Sequence, residues 1–323
     1  GIDTFQFNGA DGADDELRLT LATDGGAAGD GTHPDADFDL TRVAPSAFTI
    51  ENGQIERATI HGLGGNDRLD VSTLPQDVVD VAFAGGTGDD SLILNDLIDK
   101  TADGGEGLDQ ILARGANATI DFAAAADQAI QAIEVIRLDP ALPNSVRVDP
   151  EAIVRVIGSD ADLTVRGDSD DTIDIGEGWQ HNAPETIDGQ FHQSFSAGDL
   201  LLKVASGRPF QNVLQPTDVN ADGKVSPLDA LLVINAIIRA RSPEVEKGDE
   251  RPTDVSSFLF EDVSGNGAVS ALDALLVINR LSRQRQELES DPESESQLLT
   301  APNIRSSTVD DNLSDDGESR SLF

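Results

Sequence analysis

Val225-Ser226-Pro227-Leu228-Asp229-Ala230-Leu231-Leu232-Val233-Ile234-Asn235 recurs as Val269-Ser270-Ala271-Leu272-Asp273-Ala274-Leu275-Leu276-Val277-Ile278-Asn279, with a single difference at Pro227/Ala271. Chance does not produce such a repeat, so two copies of one structural unit stand near the C terminus. Each copy opens with Ser-x-x-Asp before an apolar run, the pattern of a capping box with Ser226 or Ser270 at the N-cap. Pro227 then falls at the first helical position, where its missing N–H costs nothing. Two helices of one design are expected, with Leu228, Leu231, Leu232 and Ile238 of the first and Leu272, Leu275 and Leu276 of the second as mutual core.

Upstream of each helix, oxygen-bearing side chains stand at alternate positions: Asp218, Asn220 and Asp222 before Gly223, then Asp262, Ser264 and Asn266 before Gly267. This is EF-hand spacing. A tight loop turns alternate side chains onto one cation, and a glycine permits the bend. A main-chain carbonyl comes next (Lys224, Ala268), and a carboxylate closes the loop from the helix (Asp229, Asp273). Ser226 and Ser270 cap the helices and are compatible with indirect ligation. One carboxylate can then serve both the metal and the helix dipole. Asp replaces the usual Glu at the closing place, and no amphipathic helix precedes either loop. Ser264 and Asn266 leave the second loop poorer in charge, so it should bind more weakly.

Those features resemble type I dockerin modules over roughly residues 209–285. The resemblance implies two calcium ions, packed helices, and docking onto a cohesin-like domain of another protein. It places Pro227, Leu228, Ala271 and Leu272 at partner-recognition positions. Arg239 and Arg283 belong to basic clusters after the two helices, read either as compensation of the helix dipoles or as contacts to an acidic partner.

Further upstream, Gly85-Gly86-Thr87-Gly88-Asp89-Asp90-Ser91-Leu92-Ile93 and Gly104-Gly105-Glu106-Gly107-Leu108-Asp109-Gln110-Ile111-Leu112 share a Gly-Gly-x-Gly-x-Asp-x-apolar pattern, and Gly62 to Asp70 nearly matches it. These segments resemble RTX (hemolysin-type) calcium-binding β-roll repeats. The resemblance implies that Asp67, Asp90 and Asp109 ligate calcium while Leu69, Leu92 and Ile111 enter the core. Their spacing suggests one such turn per coil. The Asn8–Asp15 and Gly167–Asp171 turns fit poorly and read as plain β-turns.

The fold class expected is mainly β, a parallel β-solenoid or β-roll over residues 1–127 and a β-rich second unit or cap over 128–206, plus the small helical module. Strands are expected at 68–71, 79–83, 91–94, 135–138, 153–157, 163–165 and 200–204. Ser206-Gly207-Arg208-Pro209 reads as a linker, and residues 286–323 as an acidic disordered tail.

Composition narrows the function. The 323 residues carry 60 acidic and 22 basic side chains, a formal charge of −38, which repels nucleic acid and draws cations. With no cysteine and four histidines, a metal must be held chiefly by oxygen, which favours calcium. Tyrosine is absent and Trp179 is alone, so stacking platforms for sugars or bases are scarce. No run approaches the roughly 18 apolar residues of a membrane span. The chain starts at Gly1 without a signal-peptide pattern and is expected to be a mature product or an excised piece. His33, His61, His181 and His192 lack HExxH spacing, and no Gly-x-Ser-x-Gly elbow or P-loop occurs. A secreted or cell-surface, non-catalytic calcium-binding protein is expected. The alternatives are a piece of an extracellular polysaccharide-degrading assembly, or an adhesin.

Overall fold

A computed structural model describes residues 4–21, 37–44, 48–76, 78–158, 161–241 and 259–290. Alternating apolar and polar residues between Gly/Asp turns make short strands throughout the first two thirds. The chain lays down β1 (Thr4–Asn8) and β2 (Glu16–Leu21), then an excursion of β3 (Asp37–Ala44) and β4 (Phe48–Gln54). It continues with β5 (Arg57–Gly64) and β6 (Arg68–Asp70), β7 (Asp80–Thr87) and β8 (Ser91–Leu94), and β9 (Lys100–Glu106), β10 (Gln110–Ala113) and β11 (Thr119–Asp121). β12 (Ile130–Gln131), β13 (Val135–Leu138) and β14 (Ser145–Arg147) lead to helix α1 (Pro150–Val156). β15 (Asp162–Arg166), β16 (Thr172–Asp174), β17 (Gln180–His181), β18 (Glu185–Ile187), β19 (Gln190–Ala197) and β20 (Leu200–Ala205) follow, then helices α2 (Pro227–Arg241) and α3 (Ala271–Ser290).

Successive passes stack in parallel. β1, β5, β7, β9 and β12 form one sheet; β2, β6, β8, β10, β13, β15 and β20 run parallel in a second; β11, β14 and β16 make a third. Antiparallel β3–β4 extend the second sheet at one end, and β19 and β17 extend it at the other. Side chains in register across the second sheet form an aliphatic column: Leu17, Leu69, Leu92, Ile111, Ile136, Val165 and Val204, each at most 1% exposed. A slip by one residue would turn this column to solvent, so burial fixes the register that no hairpin sets. Leu69, Leu92 and Ile111 thus enter the core as the glycine-turn pattern predicts.

The corners between the first two sheets are held by side chains. Asp15 N–H donates to Asp67 Oδ1 (2.7 Å), Asp67 N–H to Asp90 Oδ1 (2.6 Å), Asp90 N–H to Asp109 Oδ1 (2.7 Å) and Asp109 N–H to Glu134 Oε2 (2.9 Å). One residue earlier a second row runs the other way. Asn66 N–H donates to Asp14 Oδ1 (2.8 Å), Asp89 N–H to Asn66 Oδ1 (2.8 Å), and Leu108 N–H to Asp89 Oδ1 (2.9 Å). That row ends at Leu108, which has no side-chain acceptor to offer. A methyl group on Gly62, Gly85 or Gly104 would collide with the side chain of Asp67, Asp90 or Asp109, so glycine is a steric requirement at these corners.

Several expectations need revision. The Asn8–Asp15 turn is not a plain β-turn, because Asp15 joins the aspartate row and pairs with Arg42 of β3. Asp171 likewise accepts from Asn144 N–H (2.9 Å) and Asp168 N–H (2.8 Å), and Asn144 Oδ1 accepts from Ala118 N–H (3.2 Å). The strand expected at 153–157 is instead helix α1, since Asp149 caps it by accepting from Ala152 N–H (2.8 Å) and Pro150 starts it. Residues 128–206 extend the sheets of the first passes. The 206–209 segment is tied down, with Arg208 Nε donating to Ser169 O (3.0 Å). Two compact units divide the chain, Gly1–Arg280 and Leu281–Phe323. α3 continues to Ser290, and the rest of the expected tail, 291–323, lies outside the described residues.

Burial pushes the carboxyl of Asp67 up to about 6 and that of Asp90 up to about 7, against the backbone N–H each accepts and with neighbouring acids adding to the rise. Each folded-state value lies above the unfolded one, so the folded chain holds protons that the unfolded chain has released. Stability is then lost as pH rises through about 6 and 7. Asp90→Asn should therefore raise the thermal midpoint of chelated protein relative to wild type more at pH 8 than at pH 5. Comparing the two proteins at each pH cancels the opposing histidine contributions; equal differences would show that Asp90 does not titrate in this range. Gly85→Ala should cost about 1–3 kcal/mol in denaturant unfolding, non-additively with Asp90→Ala.

Candidate metal centre

The two repeats fold closely alike, differing in which loop amide the closing aspartate binds most tightly. Helix α2 starts at Pro227, which puts Asp229 in its first turn and points the carboxylate back over the loop. Asp229 Oδ2 accepts from Ser226 N–H (2.8 Å) and Ser226 Oγ (3.0 Å), while Oδ1 accepts from Val219 N–H across the loop (2.9 Å). In α3, Asp273 Oδ2 accepts from Ser270 N–H (2.7 Å) and Oγ (2.9 Å), and Oδ1 from Ser264 N–H (2.7 Å). The capping boxes expected at Ser226 and Ser270 are thus formed.

At the loop entrance, Asp218 Oδ2 accepts from Gly223 N–H (2.8 Å) and Asp262 Oδ2 from Gly267 N–H (2.7 Å). Gly223 and Gly267 have φ of +81° and +84°, the left-handed bend for which the loop needs glycine. Asp222 Oδ1 accepts from Lys224 N–H and Asn266 Oδ1 from Ala268 N–H, each at 2.9 Å. Asn220 Nδ2 donates to Asp222 Oδ2 (2.9 Å), and Ser264 Oγ donates to Asp262 Oδ1 (3.3 Å). Every residue of both sequence motifs therefore falls in one of two matched loops or in the first turn of the helix that follows it.

Burial raises the Asp218 carboxyl, two backbone N–H groups lower it, and the negative charges of Asp229 and Asp222 raise it further. Its charged neighbours thus carry its own sign. Burial also acts upward on Asp273, but hydrogen bonds from Ser264 and Ser270 outweigh it and hold the carboxyl below the usual range. These loops fit a hard cation: the donors are all oxygen, and like charge accumulates at a partly buried point. No three Asp, Glu or His side chains among the described residues form a metal-holding cluster by themselves. Asn220, Ser264, Asn266 and main-chain oxygens would complete the donor sets.

Asp67, Asp90 and Asp109 form a row of their own in the β-rich part. Each commits Oδ1 to an amide, and each Oδ2 is buried without a hydrogen-bond partner in the structure.

The helix faces differ from expectation. Leu228, Leu231 and Ile238 are exposed, as are Leu272 and Leu275; they are not core. The buried positions are Ala230, Val233 and Ala236 in α2, and Ala274 and Val277 in α3. Asp229 and Asp273, both 0% exposed, fix the rotation of the helices by facing the loops. The next positions along that side then turn inward and the larger leucines outward. Matched pairs result: Leu228 and Leu272, each 48% exposed, Leu231 and Leu275, and Ile234 and Ile278. The sequence reading missed Ile234 and Ile278, which the repeat itself pairs. Pro227 and Ala271 lie on the same exposed side. Arg239 is engaged within the chain by Glu261 (2.5 Å), and Arg283 is exposed on α3.

No helix among the described residues is long and apolar enough to cross a membrane. No curated protein and no solved structure gives a significant match to the chain. Residues 216–282 match the family model of the dockerin type I domain, so the chain carries a type I dockerin module, a calcium-related docking unit for cohesin partners, near its C terminus.

Proposed function

We propose that this chain is a secreted or cell-surface, non-catalytic attachment protein whose dockerin module captures a cohesin-like domain and whose β-rich part is a solenoid spacer. The matched apolar pairs beside the two Asp-closed loops carry this reading. Of twelve exposed large apolar side chains among the described residues, seven stand on α2 and α3. This concentration of exposed apolar side chains on two helices supports an interaction role for them. Parallel stacking of successive passes in register supports the solenoid.

Calcium would supply the positive charge that lets the loop carboxylates lie together. Asp218, Asn220, Asp222, the Lys224 carbonyl and Asp229 would hold one ion; Asp262, Ser264, Asn266, the Ala268 carbonyl and Asp273 the other. Because Asp229 and Asp273 also cap the helices, loop order and helix rotation are one event, and rotation decides which side chains face a partner. Ligand at a thousand times its dissociation constant adds about 4 kcal/mol per site. Calcium-rich surroundings would therefore assemble the docking face.

A second reading rests on the unpartnered Oδ2 atoms of Asp67, Asp90 and Asp109. Under it the aspartate row binds calcium as RTX-like repeats do.

Calorimetric titration of chelated protein should give two saturable sites, the first loop the tighter, with Asp229→Ala and Asp273→Ala each removing one. Further sites lost on Asp90→Asn would establish the second reading; no saturable site would overturn both. Leu231→Asp with Leu275→Asp should abolish capture of cohesin-type domains, at least tenfold in affinity, while leaving calcium stoichiometry intact. Retained capture would move the docking face elsewhere.

A further inference from the structure

A linker is what the sequence predicts between the last strand and the first metal loop, yet the residues after it are bonded on two sides. Gln193 of β19 is 1% exposed. Its Nε2 donates to Gln211 O (2.6 Å), and its Oε1 accepts from Val213 N–H (3.0 Å). Val213 and Leu214 pack against the β core. Gln211 Nε2 in turn donates to Val263 O (2.8 Å), the residue after Asp262, while Asp262 N–H donates to Phe210 O (3.0 Å). Asn212 Nδ2 donates to Asp218 O (2.8 Å). The first residue of each metal loop is therefore held, directly or through its neighbour, by the segment 210–213.

An aromatic contact runs alongside. His181 of β17 lies edge-on to Phe195 of β19, ring centroids 4.9 Å apart, and edge-on to Phe260, at 5.3 Å. Phe260 is 1% exposed and donates its N–H to Val219 O (2.8 Å), the residue after Asp218. A side chain at Gly265, inside the second loop, would collide with the Gln211 amide.

We infer that the dockerin module is a fixed extension of the β stack, with Gln193 and Gln211 as positioning residues that tie the second metal loop to the terminal strands. Gln193 is a buried amide whose oxygen and nitrogen are both used across the junction. Removing it strips a partly buried carbonyl and a partly buried N–H of this partner, a cost borne by segment 210–213 and, through Gln211, by the loop. Order in the loop and order at the β edge are then linked before any ion binds. A docked partner would be held at a set orientation to the β stack.

Hydrogen exchange on the full chain, with calcium chelated, tests this without reference to metal or partner. Gln193→Ala should speed amide exchange about tenfold in 210–216 and in 259–267, with β5 to β10 unchanged. Gln211→Ala should speed 259–267 and leave β17 to β19 at the wild-type rate. Wild-type exchange at 259–267 in both variants overturns the inference. Should Gln193→Ala loosen the whole β stack, the Gln211→Ala result alone decides.

Discussion

A buried aspartate that accepts the backbone N–H of a neighbouring segment is the interaction on which both halves of this chain depend. In the β passes, Asp67, Asp90 and Asp109 each bind the amide of the preceding corner. In the C-terminal module, Asp229 and Asp273 reach back to Val219 and Ser264. Aspartate suits both places because its carboxylate sits one methylene from the main chain and is held with little loss of side-chain freedom. Hydrogen bonds to a charged acceptor are about twice as strong as neutral ones, which offsets part of the cost of burying the group.

The two halves differ in what surrounds the second oxygen. At the β corners it lies against glycine in a sealed site, the three aspartates being at most 1% exposed. The pressure there is toward neutralisation by a proton, and the raised carboxyls of Asp67 and Asp90 follow from it. In the loops, Asp222 and Asn266 are exposed while Asp218 and Asp262 are buried, so the donor sets open to solvent on one side. An ion can enter there without unfolding the module. The same residue type thus builds a sealed corner in one setting and a solvent-open loop in the other.

Much of this was legible. The repeat around Asp229 and Asp273 announced two matched loops and caps, because an oxygen at alternate positions followed by glycine has few other uses. Strands such as 91–94 and 200–204 were readable from their apolar runs. Helix rotation was not, since Leu228 and Leu231 carry the same apolar signal as Val233; only the inward pull of Asp229 distinguishes them. Asp15 and Asp171 were missed because their partners, Asp67 and Asn144, lie 52 and 27 residues away, a pairing that local pattern cannot show. The helix at 150–156 was hidden by its β-branched residues, whose strand preference the Asp149 cap and Pro150 override.

An exposed apolar face is ordinarily a hazard, and the charge of this chain bears on how one can persist. At a formal −38, two copies approaching face to face repel before short-range apolar contact is made. A neutral or basic partner meets no such barrier. Arg239 does not contribute free positive charge to the face, because Glu261 holds it. Selection of a partner would then divide into two independent parts: long-range repulsion that excludes copies of the chain and other acidic proteins, and close packing by leucine and isoleucine that rewards a complementary apolar surface. Salt screens only the first part. Raising ionic strength would therefore loosen the exclusion while leaving the docking contact intact, which is opposite to the behaviour of a face that recognises its partner by charge.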